Sequence, residues 1–386
     1  MSTEPAKPGP IVCVVGARPN YMKMAPIIRA FGMHQPPLRT LLVHTGQHYD
    51  ASMNDRLFAD LDLPRPDINL EVGSASHAVQ TAEVMKRFEG VVEEYGARAV
   101  LVVGDVNSTL ACALVAAKRG IPVIHVESGL RSYDRRMPEE INRVLTDQIS
   151  DVMYTTERSA RDNLAREGIP DERIEFVGNV MIDSLLANLP KAVPADELLR
   201  AGGMDPERIA GGYGVVTLHR PSNVDHAETL SSIVDALATI ARKLPLVFAL
   251  HPRTRNNLER FGMFERLDHP GFVILPPQGY LQMLGLMSGA VMVLTDSGGI
   301  QEETTALGVP CLTIRENTER PITVEQGTNT LVGVDPLALI EVAEAILANG
   351  GKRGRVPECW DGRAADRIAD HLARWLETHE QAAHAS

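Results

Sequence analysis

The sequence predicts an α/β protein of two doubly wound units in tandem, facing a central cleft. Three observations carry that expectation. Short β-branched apolar runs alternate with helical patterns from end to end, and near-continuous apolar strands separated by helices signify parallel sheets covered on both faces. The runs fall into two sets of five, divided by a stretch rich in Pro, Gly and charge over residues 189–214. The chain has 386 residues, more than one compact core usually organises.

In the first half the expected strands are "IVCVV" (11–15), "TLLVHT" (40–45), "AVLVVGD" (99–105), "PVIHVE" (122–127) and "VMYTT" (152–156). The second half supplies "GVVTLH" (214–219), "LPLVFALH" (244–251), "GFVILP" (271–276), "AVMVLTD" (290–296) and "VPCLTI" (309–314). In such sheets ligands bind outside the carboxyl ends of the strands, so the residues that follow each run carry the functional information.

Those residues are polar or glycine at nearly every strand. "VVGARPNYMKMAP" sets Gly16, Arg18 and Lys23 on the first strand-to-helix turn. There is no GxGxxG or GxxxxGK[ST], but Arg18 and Lys23 are a usable pair of cations for a diphosphate, or surface cations on a helix start. "VLVVGDVNSTL" delivers Asp105, a helix cap or a chemical group. "PVIHVESGLRS" delivers Glu127 and Arg131; a Glu leaving an apolar strand is costly to desolvate without a purpose or a partner. In "RRMPEEINRVLTD", Pro138 fits the first turn of a helix with Glu139 beside it. Glu139 and Arg143 are spaced as a surface ion pair would be. Three carboxylates from successive strand ends converge on one rim of the sheet.

In the second half "VVTLHRPSNVD" sets His219 and Arg220 at a strand end, and "FALHPRTRNN" repeats the theme with His251 and Arg253. "PPQGYLQML" offers Gln278, suited to an amide-bearing base edge or to capping. The most telling stretch is "LTDSGGIQEETTALGVP" (294–310). Ser297 is a candidate N-cap, and Gly298 and Gly299 bare the amides at the positive end of a helix dipole for a phosphate. Glu303, four residues beyond Gly299, projects from the same face and can accept from a neutral diol such as a ribose. Glu302 reads as a solvated or packing neighbour. "RENTERPITVEQGTN" adds Arg315 and Arg320 as anion ligands.

Composition narrows the classes. Acids outnumber bases 50 to 38, for a net charge of −12, which argues against a general nucleic-acid or membrane-surface binder. "MSTEPAKPGP" reads as a loose leader rather than a signal peptide, and no apolar run suits a membrane helix. Cys13, Cys112, Cys311 and Cys359 are scattered without ligand spacing, as buried thiols in a reducing, cytoplasmic setting would be.

With "GARPNYMKMAP", "GDVNST", "HVESGLRS", "PEEINR", "TERSARDNL", "VGNVMIDSL", "DSGGIQEE" and "TERPITVEQGTN" in this order, the chain resembles the non-hydrolysing UDP-N-acetylglucosamine 2-epimerases over residues 11–368. The resemblance implies the glycosyltransferase-B architecture of two Rossmann-like domains. On it, residues 1–182 carry the catalytic carboxylates, residues 183–361 bind UDP, and a helix over 362–380 packs back on the first domain. It implies reversible C2 epimerisation of a UDP-2-acetamido sugar, with UDP eliminated to leave a 2-acetamidoglucal and then re-added, without NAD or a metal, in a homodimer. Arg18, His219, Ser297, Gly298, Gly299 and Arg320 then hold the diphosphate and Glu303 the ribose. Lys23 and Gln278 belong to the nucleotide-sugar site. Asp105, Glu127 and Glu139 supply acid/base groups with Arg143 in support, and His219 also ranks with the catalytic set.

The chain departs from well-known members in four places. It reads "HRPSNVD" where they carry a second Arg and a Glu. It reads "GQHYD" and "EVGSASHAVQT" where some bacterial members hold an allosteric substrate molecule with Arg residues, and Met283 replaces an aromatic near the uracil. Allosteric activation is therefore not carried over. Competing readings are a related epimerase of a UDP-2,3-diacetamido uronic acid, a glycosyltransferase of the same architecture, a hydrolysing epimerase and a nucleotide-sugar sensor. The three-carboxylate set weighs against the last.

Overall fold

The computed structural model describes residues 9–46, 58 and 60–385. The chain divides into two compact units, Met1–Ser184 with Glu358–Ser386, and Leu185–Pro357.

Among the described residues, the first unit holds seven parallel strands: β1 (Ile11–Val15), β2 (Thr40–His44), β3 (Ile68–Asn69), β4 (Ala99–Val103), β5 (Val123–Ser128), β6 (Val152–Thr155) and β7 (Ile174–Phe176). Their order is β3-β2-β1-β4-β5-β6-β7. Helices α1 (Arg18–Met33), α2 (His77–Tyr95), α3 (Asn107–Lys118), α4 (Pro138–Ile149), α5 (Arg158–Arg166) and α6 (Val180–Asn188) connect or follow them, and the division between units falls inside α6. The central strand β4 is apolar at every position because both of its faces are covered, and all five of its residues are buried.

The second unit holds β8 (Gly214–Thr217), β9 (Leu246–Ala249), β10 (Phe272–Leu275), β11 (Met292–Thr295), β12 (Cys311–Thr313) and β13 (Asn329–Leu331), all parallel, in the order β10-β9-β8-β11-β12-β13. Its helices are α7 (Ala195–Ala201), α8 (Pro221–Val224), α9 (Ala227–Ala241), α10 (Pro252–Arg260), α11 (Tyr280–Ser288), α12 (Gly298–Leu307), α13 (Pro321–Glu325) and α14 (Pro336–Asn349). Neighbouring strand residues serve opposite faces. Val216, Phe248, Leu294 and Leu312 pack with Leu230 and Ile233 of α9 and Leu339 of α14. Val215, Val247 and Val293 pack with Leu199 of α7 and Leu286 of α11. The final helix, α15 (Ala364–Ala385), returns to the first unit and lies on α1. Its start is capped by Asp183, which accepts from Ala364 N at 3.1 Å and Ala365 N at 2.7 Å.

Strand order decides where a ligand can sit. In the first unit the winding reverses between β1 and β4, and in the second between β8 and β11. A reversal leaves two strand-to-helix loops splayed apart with a crevice above the sheet, the usual ligand position in open α/β sheets. The loops after β1 and β4 carry Arg18 and Asp105; those after β8 and β11 carry His219 and Ser297. Among the described residues, no helix is long and apolar enough to cross a membrane.

Candidate active site

At the first reversal, Arg18 opens α1, and the turn before it is shaped by Asn20. The Asn20 side chain accepts from Gly16 N at 3.2 Å and Ala17 N at 3.0 Å, and donates to Val103 O at 3.0 Å. That ties the end of β1 to the end of β4. Lys23, expected as a cation for a diphosphate, places its ammonium 2.6 Å from Glu127 Oε1, with both side chains buried. An unpartnered buried charge is costly, so the two side chains compensate each other. Gly104 is required here twice over. Its φ is +66°, and a Cβ would stand 2.8 Å from Lys23 Nζ.

Glu127 is strained. Its φ is +68°, at a point where the register between β5 and β6 shifts between Val126 and Ser128. A left-handed non-glycine residue costs about 1–3 kcal/mol and persists where the surroundings over-determine it, often at functional sites. The bulge turns the Glu127 side chain out of the alternation that the sheet would impose.

Asp105 does not cap α3, whose N-cap is Val106. Its carboxylate meets Arg143 Nε at 3.0 Å, and its carbonyl accepts from Asn142 Nδ2 at 2.8 Å. The spacing of Glu139 and Arg143 suggested an ion pair, but Arg143 reaches Asp105 and Glu140. The buried Glu140 also accepts from Ser132 N at 3.0 Å and Tyr133 N at 2.8 Å, fixing the loop before α4. Glu139 is left half-buried on the first turn of α4, one turn ahead of Arg143. The structure thus joins Lys23 to Glu127 and Asp105 to Arg143.

At the second reversal an unanticipated residue organises the site. Asp296, at the end of β11, is fully buried and accepts from His219 N at 3.0 Å, Arg220 N at 2.9 Å and Asn223 Nδ2 at 3.2 Å. His219 Nδ1 lies 2.9 Å from its other oxygen. Burial pushes the Asp296 carboxyl up, but hydrogen bonds and charge from His219 and the Arg220 amide hold it below its ordinary value. With Nδ1 committed to Asp296, Nε2 is the nitrogen that His219 can offer a ligand, and the ring is 42% exposed. His251 leans on that ring at 5.6 Å between centroids. The signal for Asp296 was in the sequence: it leaves an apolar strand as Asp105 does.

Ser297 occupies the N-cap position of α12, but its side chain makes no capping hydrogen bond, so the first amides of the helix stay uncapped. Gly298 has a reason of its own. A Cβ there would stand 2.7 Å from Arg320 Nη1 and 2.8 Å from Glu319 Oε1. The glycine admits Arg320 to the start of α12, beside half-buried Gly299 on the same first turn. Glu302, expected as a solvated or packing neighbour, is buried against Arg320 Nε at 2.9 Å, because a guanidinium at this depth needs counter-charge. Glu319 meets Arg320 Nη1 at 2.5 Å and Arg315 Nη2 at 2.8 Å, so Arg315 is committed to Glu319.

Glu303 stands one turn below Gly299, buried, with no hydrogen-bond partner for Oε1 among the described residues. Burial raises its carboxyl to about 8, against the pull of the neighbouring Tyr280 hydroxyl, and Glu302 adds to the rise. Because the folded value exceeds the ordinary 4.5, the folded chain binds this proton more tightly than the unfolded one, and stability falls as pH climbs from 4.5 toward 8. In urea unfolding at pH 5, 6.5 and 8, Glu303→Gln is expected to remove a slope approaching about 1.4 kcal/mol per pH unit. Identical slopes in both chains would reject the protonated Glu303.

Gln278 does not cap α11, whose N-cap is Gly279; its amide donates to Pro276 O at 2.6 Å. Met283 is partly buried against the apolar cluster behind α11. In the region compared with allosteric members, Gln47–Asp50 lie outside the described residues. Among the described residues no group of three His, Cys, Asp or Glu could hold a metal ion.

The family model for UDP-N-acetylglucosamine 2-epimerase matches residues 33–373. The UDP-N-acetylglucosamine 2-epimerase of Methanocaldococcus jannaschii is 42% identical over 358 residues, which cover 92% of this chain and 96% of that one. The UDP-2,3-diacetamido-2,3-dideoxy-D-glucuronate 2-epimerase of Pseudomonas aeruginosa is 39% identical over 372 residues, 94% of this chain and 99% of that one. The crystal structure of the M. jannaschii UDP-GlcNAc 2-epimerase in complex with UDP-GlcNAc and UDP superposes with a TM-score of 0.85 at 41% identity, covering 94% of this chain and 99% of that one. Likeness of this extent in sequence and structure has one consequence: the chain belongs to the UDP-N-acetylglucosamine 2-epimerase family of isomerases.

Proposed function

We propose that this protein interconverts UDP-GlcNAc and UDP-ManNAc by eliminating UDP and adding it back. The observation that carries the reading is Glu127: a buried carboxylate paired with Lys23 and held in strained backbone at the end of β5, with the Asp105–Arg143 pair at the end of the neighbouring β4. A proton at C2 of a sugar is only weakly acidic, and its removal calls for a base held in a fixed position.

In the forward step a carboxylate takes the C2 proton, a C1–C2 double bond forms, and the electrons of the C1–oxygen bond leave with UDP. The uncapped amides of α12, Arg320 and His219 Nε2 stabilise the charge that develops on the departing phosphate. In the second unit Gln278 adds a nucleotide contact, and Glu303, one turn below Gly299, accepts from the ribose. In the return step a proton reaches C2 from the opposite face and UDP re-adds at C1. Opposite faces call for two acid/base groups, drawn from Asp105, Glu127 and Glu139.

The 39% identity to the P. aeruginosa enzyme favours one second reading, a UDP-2,3-diacetamido uronic acid as substrate. Incubation with UDP-GlcNAc in D2O is expected to place deuterium at C2 and to form UDP-ManNAc. Faster exchange with the diacetamido uronate selects the second reading, stoichiometric free UDP points to hydrolysis or transfer, and no exchange with any UDP-2-acetamido sugar removes the epimerase assignment.

A further inference from the structure

Asp147 is buried in α4 and has no role assigned above at the sugar or the nucleotide. Its Oδ1 lies 2.7 Å from His125 Nδ1, and its Oδ2 accepts from Gly129 N at 3.1 Å and from Arg131 Nη2 at 2.6 Å. Arg131 is braced in turn by Glu167, at 2.8 and 2.6 Å, and by the Leu130 carbonyl at 2.7 Å.

The positions of these partners matter more than their number. His125 and Gly129 bracket Glu127, two residues to either side, so one carboxylate grips both ends of the strained bulge. The second nitrogen of His125 donates to Gly104 O at 2.9 Å, and Gly104 is the residue before Asp105. A single rigid chain of hydrogen bonds therefore runs from α4 to the ends of both β5 and β4. Ser128, inside the bulge, adds a bond from its hydroxyl to Tyr154 O at 3.0 Å on β6.

A left-handed glutamate relaxes toward extended backbone unless its neighbours forbid it, and relaxation would swing its side chain to the other face of the sheet. We infer that the Asp147–His125–Arg131 cluster is a positioning device, which holds Glu127 in its left-handed conformation and sets the Asp105 loop against it. The inference rests on the proposed role of Glu127 and Asp105 at C2. Asp147, His125 and Arg131 act through those residues and are not themselves catalytic.

Asp147→Asn keeps the shape and an acceptor, but cannot serve His125 and Arg131 as an anion; His125→Asn cuts only the link to Gly104 and Asp147. Each purified variant is compared with the parent for C2 exchange in D2O, for KM, for UDP affinity by calorimetry and for melting temperature. Misplacing a reacting group by about 1 Å costs on the order of a hundredfold. The expected result is a kcat lowered tenfold or more with KM and UDP affinity within about twofold of the parent. If Asp147→Asn does not fold, His125→Asn carries the test alone. A kcat within threefold of the parent in every variant that folds overturns the inference, as does a loss of kcat matched by an equal loss of UDP affinity. A parent chain that fails to exchange the C2 proton would overturn the epimerase reading itself, and the two failures are thereby distinct.

Discussion

Glu127→Gln is expected to lower C2 exchange by about 10²- to 10⁴-fold, the usual worth of a positioned acid/base group, while UDP still binds as tightly as to the parent. The substitution preserves volume and leaves Lys23 an acceptor, so the fold of β5 survives. It removes the charge that could take a proton. It also strands a buried ammonium, because Lys23 Nζ meets Glu127 Oε1 at 2.6 Å and both side chains are buried. Breaking one half of such a pair destabilises by about 3–5 kcal/mol, so the melting temperature should fall as well. Loss of turnover and loss of stability can be separated. Adding Lys23→Met to Glu127→Gln replaces the stranded charge with an apolar chain of similar length. The double variant should regain most of the melting temperature and none of the exchange. Near-normal exchange in both Glu127→Gln and its counterpart Asp105→Asn would remove the carboxylates from the mechanism.

Arg320→Met is the largest effect expected in the second unit. Arg320 is buried between Glu302, 2.9 Å from its Nε, and Glu319, 2.5 Å from its Nη1. Removing the guanidinium leaves Glu302 buried without that counter-charge, whereas Glu319 still has Arg315 at 2.8 Å. The penalty again falls in the range of about 3–5 kcal/mol, read as a shift of the urea midpoint. The same variant should bind UDP at least about tenfold more weakly, because a charge-assisted bond to phosphate is worth roughly 1.5–3 kcal/mol. Glu302→Gln in the Arg320→Met background should restore stability without restoring UDP affinity. Unchanged affinity in Arg320→Met would exclude this arginine from the nucleotide site, and an unchanged urea midpoint would show that the carboxylates do not depend on it.

Most of the α/β architecture was legible because it rests on local chemistry. A parallel strand covered on both faces must be apolar at successive positions, so β4 and β11 announce themselves in five- and four-residue runs. Strand ends were legible for the same reason: the first polar residue after such a run marks where the chain leaves the sheet. Partners were not. The spacing of Glu139 and Arg143 suggested a pair, and the structure gives Arg143 to Glu140 and Asp105 instead, because the first turn of α4 faces the loop after β5. Glu302 read as a solvated or packing neighbour, and it is buried beside Arg320, a partner that arrives from beyond β12 and that spacing did not indicate.

By itself, then, the sequence determined two parallel sheets, the polar rim of each and, through the order of its motifs, the family. Hydrophobic period and turn chemistry are properties of a few adjacent residues and survive without knowledge of the rest of the chain. Only the tertiary structure decided that β4 lies beside β1 and β11 beside β8, which creates the two reversals. With them came the meeting of Lys23 with Glu127, 104 residues apart, and of His219 with Asp296, 77 apart. A buried charge is tolerable when it is paired, and strand order brings these distant partners together. Periodicity reports that a strand is buried and carries no information about which strand lies next to it.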